Sequence, residues 1–200
     1  MTKLGVIVGS IRDRSWNRKV ANALVEMFPA DWETQFLEID KLPLYNGDVD
    51  EKDFTGTLPA AITELREAAD KVDAFLIVTP EYNRGVPGVL KNAIDILSRP
   101  YGAPYFPGKP VMVVSTSTGA TGGFGSNHAL RQTLVFLDAH VLAQPEMYLG
   151  KIHEAFGNDP MDKLGTPADP ATDNARLAER TLAMLKGAVD KFVAFDGHWL

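Results

Sequence analysis

Leu4-Gly5-Val6-Ile7-Val8-Gly9-Ser10-Ile11-Arg12-Asp13-Arg14-Ser15-Trp16-Asn17 carries the first strand, the first turn and the start of the first helix. Residues 4 to 8 are an apolar run with strand character, and Val20, Ala21, Leu24 and Val25 then recur at helical spacing over Asn17 to Met27. The loop between them enters a helix, so it offers unpaired backbone N–H groups and the positive end of the helix dipole. Gly9 to Asn17 add the hydroxyls of Ser10 and Ser15, the Asn17 amide and the Arg12 guanidinium. This combination suits an anion such as a terminal monophosphate, the guanidinium fork pairing with two of its oxygens. The same residues also read as a plain helix start, with Ser15 as the cap and both arginines solvated.

The strand-then-helix pattern repeats outward from this stretch. Strand-like runs at Leu4 to Val8, Gln35 to Ile39, Ala74 to Val78, Val111 to Ser115 and His140 to Ala143 alternate with helical periodicity. The helices are expected at Asn17 to Met27, Pro59 to Ala69, Pro87 to Leu97 and Ser126 to Asp138, with a last one over about Thr172 to Phe195. The runs from Ala74 and Val111 are apolar on both faces, as central parallel strands covered on each side by helices must be. The expected architecture is therefore α/β: a doubly wound, five-stranded parallel sheet in three α/β/α layers, built by residues 1 to 200 as a single domain. Tyr45 to Thr57 and His153 to Pro170 fall outside the alternation and read as surface loops, the second long enough to act as a lid or as an arm to a neighbouring subunit.

Composition narrows the chemistry. The net charge is −6 and the 20 basic residues are spread along the chain, without the cationic stripe a nucleic-acid binder needs. The chain has no cysteine, so disulfides, thiolate nucleophiles and iron-sulfur ligation are excluded and any redox chemistry falls to a cofactor. No apolar run approaches the roughly 20 residues that span a bilayer, and the start lacks a signal peptide's apolar region, so a cytoplasmic protein is expected. His128, His140, His153 and His198 show no metal-ligand spacing, and no metal is expected. Neither G-x-G-x-x-G after the first strand nor G-x-x-x-x-G-K-[ST] occurs.

Two further loops follow buried strands. Pro80-Glu81-Tyr82-Asn83 offers an aromatic face, an amide and exposed N–H groups, and reads either as a cradle for a flat heteroaromatic ring or as an ordinary turn into Pro87. Ser115-Thr116-Ser117-Thr118-Gly119-Ala120-Thr121-Gly122-Gly123 supplies small residues where backbone can approach a ligand, or else a flexible loop. In the flavodoxin-like strand order 2-1-3-4-5 the first, third and fourth strands are neighbours, so all three loops meet at one crevice. A phosphate grip, a ring cradle and a Gly/Ser/Thr wall suit a mononucleotide, and FMN better than a dinucleotide.

With these segments in place, the chain resembles the NAD(P)H-dependent FMN reductases, flavodoxin-like enzymes that include quinone, azo-dye and chromate reductases. The resemblance covers roughly residues 3 to 150. It rests on Gly9-Ser10-x-Arg12-x-x-Ser15-x-Asn17, on Pro80-Glu81-Tyr82-Asn83 running into Pro87-Gly88-x-Leu90-Lys91-Asn92-Ala93-Ile94-Asp95, and on Leu130-Arg131-Gln132. It implies that Ser10, Arg12, Ser15 and Asn17 hold the FMN phosphate and that Pro80, Glu81, Tyr82 and Asn83 lie along the isoalloxazine. Ser115, Ser117 and Gly119 would approach the ring's other edge. The implied reaction is ping-pong: NAD(P)H as co-substrate delivers hydride to FMN, and a quinone-like or other small-molecule acceptor then takes it, with no side chain obliged to act as catalytic acid, base or nucleophile. It also implies a homodimer or homotetramer; Val135-Phe136-Leu137 reads either as apolar surface for that contact or as ordinary core packing. Arg84-Gly85 departs from the smaller polar residues usual in the family, at a position facing the substrate side. The alternatives are a flavodoxin-type electron carrier that does not itself oxidise NAD(P)H, and a flavin-free phosphoester-binding or hydrolytic protein.

Overall fold

In the computed structural model, which describes residues 1–50, 55–157 and 173–195, the alternation takes the expected course. The strands are β1 Lys3–Val8, β2 Glu33–Phe36, β3 Ala74–Thr79, β4 Pro110–Thr116, β5 His140–Val141 and β6 Met147–Leu149. The helices are α1 Trp16–Val25, α2 Ala60–Asp70, α3 Gly88–Leu97, α4 Phe124–Phe136, α5 Ile152–Phe156 and α6 Asp173–Val193. Every strand pairing is parallel, and the order is β2-β1-β3-β4-β5, the flavodoxin-like arrangement.

The fifth position of the sheet is shared by two short strands. β5 pairs with the start of β4 through Pro110 and Val111, and β6 with its end through Val114, Ser115 and Thr116. The expected strand His140 to Ala143 is thus cut short at Val141, and the edge resumes as β6 beyond Pro145, which has no N–H to give to a ladder. A buried polar network closes the gap. Arg131 donates to Leu142 O at 2.8 Å and to Asn127 Oδ1 at 2.9 Å, while the Asn127 amide donates to Met147 O at 3.2 Å. β2 also begins two residues earlier than expected, at Glu33, because this edge strand is only half buried and its alternation is weak.

The core divides on the two faces of the sheet. Leu4, Val6, Leu76, Val78, Met112 and Val114 meet α1, α5 and α6, whereas Ile7, Phe75, Ile77, Val111 and Val113 meet α2, α3 and α4. All six residues of β3 are buried, which explains its unbroken apolar run. Each fully buried Leu, Ile or Phe side chain contributes about 1.5–3 kcal/mol. Gly9 ends β1 where a Cβ would stand 2.9 Å from both Thr79 Oγ1 and Leu90 Cδ2, so glycine allows β1 and β3 to reach the site side by side.

The segment from Tyr45 is more than a solvated loop. It forms a short 3-10 turn over Gly47–Asp50, and Asp50, its side chain 10% exposed, is the bidentate partner of Arg66, with contacts at 2.7 and 2.8 Å. Arg66 also reaches Ile96 O near the end of α3, and Asn92 of α3 accepts from Tyr45 N–H at 2.8 Å. The Arg66 guanidinium holds the Asp50 carboxyl below its usual value, outweighing desolvation, and the Tyr45 hydroxyl adds to it. Residues 51–54 of the loop expected over Tyr45 to Thr57, the segment 158–170 of the long second loop and His198 lie outside the described residues. α5 occupies residues expected at the start of that loop.

Candidate functional site

The three loops expected to converge do so. β1, β3 and β4 are successive neighbours in the sheet, so the segments leaving Val8, Thr79 and Thr116 emerge side by side, and Gly9 N–H donates to Val78 O at 2.8 Å. Between them lies an open cleft of ≈ 180 Å³ lined by Ser10, Arg12, Ser15, Trp16, Asn17, Pro80, Glu81, Tyr82, Thr116, Ser117 and Thr118.

One end of the cleft belongs to the first loop. Ser15 is the cap of α1, its Oγ accepting from Arg18 N–H at 3.3 Å, which leaves its own O–H free to donate. The cap and the anion-binding readings of Ser15 are therefore compatible. Ser10, Ser15 and Asn17 are only 6%, 5% and 5% exposed, while Arg12 is exposed with no carboxylate paired to it among the described residues. The Asn17 carboxamide oxygen is buried without a hydrogen-bond partner. Such a group costs about 1–3 kcal/mol when left unsatisfied, and a half-turn of the amide would present its NH2 to an anion instead. Two hydroxyls, an amide, a guanidinium and the first N–H groups of α1 form a donor set without a carboxylate, which fits a phosphate monoester and hence the phosphate end of FMN.

The second wall is the β3–α3 loop. Pro80 is buried and Tyr82 is 47% exposed, so the tyrosine ring lies at the cleft with a solvent-facing side. Glu81 lines the cleft, but its carboxylate is tied down: Oε2 accepts Ser126 N–H at 3.1 Å in the first turn of α4, and Oε1 accepts from Arg84 at 3.3 Å. Its charge thus serves the α4 dipole. Asn83 sits at the hairpin tip, outside the lining.

The third wall is the start of the β4–α4 loop, and here the expected residues separate. Ser117 lines the cleft, its N–H donating to Leu149 O and its Oγ accepting Gly119 N–H, both at 3.0 Å. Ser115 does not: its hydroxyl is buried, donating to Met147 O at 3.4 Å and accepting from Asn127 at 3.2 Å. Strand alternation turns Ser115 toward α4 and brings Thr116 to the lining in its place. Gly119 lies beyond the lining, with its carbonyl accepting Lys151 N–H. Trp16, Thr116 and Thr118 also line the cleft; the two threonines lie in the wall expected from the sequence without being singled out as site residues, and Trp16 is not among the expected ones. Trp16 directly follows the cap Ser15, a position that puts a first-turn side chain beside the anion end.

Among proteins of known sequence, the family model described as NADPH-dependent FMN reductase matches residues 2–154. A quinone reductase of Pseudomonas putida is 45% identical over 192 residues, covering 96% of this chain and 93% of its own length. A 2-hydroxy-1,4-benzoquinone reductase of a Burkholderia species is 43% identical over 147 residues, covering 74% of this chain and 78% of its own. Among solved structures, the flavoenzyme NAD(P)H:(acceptor) oxidoreductase FerB of Paracoccus denitrificans superposes with a TM-score of 0.79 at 33% identity, covering 97% of this chain and 96% of that one. With the fold, the three converging loops and these relatives in agreement, the chain belongs to the NADPH-dependent FMN reductase family.

Proposed function

We propose that the cleft binds FMN with its phosphate on Ser10, Arg12, Ser15 and Asn17 and its ring between the Pro80 to Tyr82 and Thr116 to Thr118 segments, and that the protein is an NAD(P)H-dependent quinone reductase. The observation that carries this reading is that these three segments line one cleft whose anion end leaves a buried Asn17 carboxamide oxygen unpartnered. When bound, FMN supplies a two-electron relay between the nicotinamide and the acceptor. The protein's own residues bind and orient. Arg12 and the hydroxyls fix the phosphate, Pro80 ends β3 so that the backbone of Glu81 and Tyr82 borders the ring, and the openness of the cleft leaves a ring face for donor and acceptor in turn. Glu81, the one carboxylate in the lining among the described residues, accepts the Ser126 N–H at the start of α4, so it is not assigned proton transfer.

The relatives named quinone reductase support quinones as acceptors and favour this enzyme over a flavodoxin-type carrier. Because NAD(P)H is kept inside cells, the proposal includes a cytoplasmic setting. Among the described residues no helix is long and apolar enough to cross a membrane. It also includes a homodimer or homotetramer, supported by Val135 and Phe136, which stand 66% and 87% exposed on α4. Steady-state rates at several fixed quinone concentrations, plotted reciprocally against NADPH, are expected to give parallel lines. Intersecting lines would mean that both substrates bind together, contrary to alternation at one ring face.

A further inference from the structure

Tyr82-Asn83-Arg84-Gly85 is a two-residue hairpin. Tyr82 N–H donates to Gly85 O at 3.2 Å and Gly85 N–H to Tyr82 O at 3.0 Å. Both central residues are in the left-handed region, with φ of 52° at Asn83 and 64° at Arg84. Asparagine takes that conformation readily, but glycine is the residue that suits the second position. The chain instead carries an arginine there, and an observed backbone outlier beside a binding cleft is grounds for seeking a function.

One ion pair and one backbone contact tie this residue to its surroundings. Glu81, with its side chain 10% exposed, gives one oxygen to Arg84 Nη1 at 3.3 Å, while Arg84's own side chain is 79% exposed. The other Glu81 oxygen is taken by Ser126 N–H, so the carboxylate is divided between the helix start and the guanidinium. A Cβ on Gly125 would stand 3.3 Å from Arg84 O, so the hairpin rests against the first turn of α4. The result is a guanidinium with most of its donors facing solvent, one hydrogen bond from a lining residue and two positions from Tyr82. In a chain of net charge −6, this guanidinium keeps donors turned to solvent for an anion, with the Glu81 carboxylate offsetting part of its charge.

Resting on the quinone-reductase reading above, we infer that Arg84 is a specificity-determining residue that favours acceptors anionic at neutral pH, such as 2-hydroxyquinones, over uncharged quinones with the same ring. The ionised hydroxyl and the adjacent carbonyl of such a quinone present two oxygens side by side, which the guanidinium fork matches. The redox step itself is unchanged.

The test compares 2-hydroxy-1,4-naphthoquinone with 2-methyl-1,4-naphthoquinone as acceptors for the FMN-loaded wild type, Arg84→Gly and Arg84→Lys at saturating NADPH. In Arg84→Gly the KM for the hydroxyquinone is expected to rise about tenfold with kcat unchanged, while the KM for the methylquinone stays the same. Arg84→Lys is expected to fall between, keeping charge without the fork. The melting temperature of Arg84→Gly should equal or exceed the wild-type value, since glycine relieves the left-handed position, so a folding defect cannot mimic the result. An equal change for both quinones, or no change for either, would overturn the assignment. Failure of the wild type to reduce either quinone would overturn the quinone-reductase reading itself, and this inference with it.

Discussion

Arg66→Ala is expected to destabilise the protein by about 3–5 kcal/mol, because removing one partner of a buried ion pair leaves the other charge uncompensated. The Arg66 and Asp50 side chains are 9% and 10% exposed, their contact is bidentate, and Arg66 also satisfies Ile96 O. One side chain thus ties α2 to the Gly47–Asp50 turn and to the end of α3, the helix that follows the Tyr82 loop. Urea unfolding of the two proteins measures the loss. The Asp50 carboxyl is held below its usual value, first by the Arg66 hydrogen bonds. The pair's contribution is therefore fully present above the usual carboxylate range, near pH 4, and is lost as pH falls through the depressed folded value. The gap between wild type and Arg66→Ala should narrow only below that range. A gap that is small at pH 7, or that does not shrink in acid, would show that the pair does not hold this part of the fold.

Arg12→Ala is expected to weaken FMN binding by one to two decades, from the loss of a charge-assisted contact worth about 1.5–3 kcal/mol. Arg12 is exposed and has no carboxylate partner among the described residues, so the same change should leave the melting temperature of the flavin-free protein close to wild type. Flavin fluorescence titration of both proteins separates the outcomes. An unchanged Kd for FMN would remove Arg12 from the phosphate site.

Much of this is legible in the sequence, for reasons visible in the structure. β3 and β4 stand out because both of their faces are buried, which forces continuous apolar runs. β1 and the loop after it stand out because Gly9 to Asn17 combine a strand end, a cap and anion donors. β2 is displaced from its expected place because its own residues alternate weakly while Leu37 and Ile39, just beyond it, are buried and apolar. β6 escapes a sequence reading because three residues after a proline carry no periodicity, and its place in the sheet depends on Asn127 and Arg131, distant in sequence. Asp50 passes for a solvated acid because its partner lies 16 residues away, on the next helix.

The site shows the same limit. Loop membership is local information, and it identifies Ser10, Arg12, Ser15, Asn17, Pro80, Glu81, Tyr82 and Ser117 as residues of one cleft. Side-chain direction is set by packing. Ser115 turns to Asn127, Glu81 caps α4 and Thr116 faces the lining, choices decided by the register of β4 against β3 and β6. Arg84 is conspicuous in the sequence, and the structure shows a largely exposed cation at the hairpin tip, hydrogen-bonded to the Glu81 carboxylate.

The most direct measurement of the central claim is an anaerobic half-reaction: protein loaded with FMN, mixed with NADPH in the absence of any acceptor or partner protein, and followed by flavin absorbance. The flavin band is expected to bleach on NADPH addition and to return when a quinone is then added. A band that stays unbleached until a separate reductase is supplied would contradict the reductase reading and make the protein a carrier.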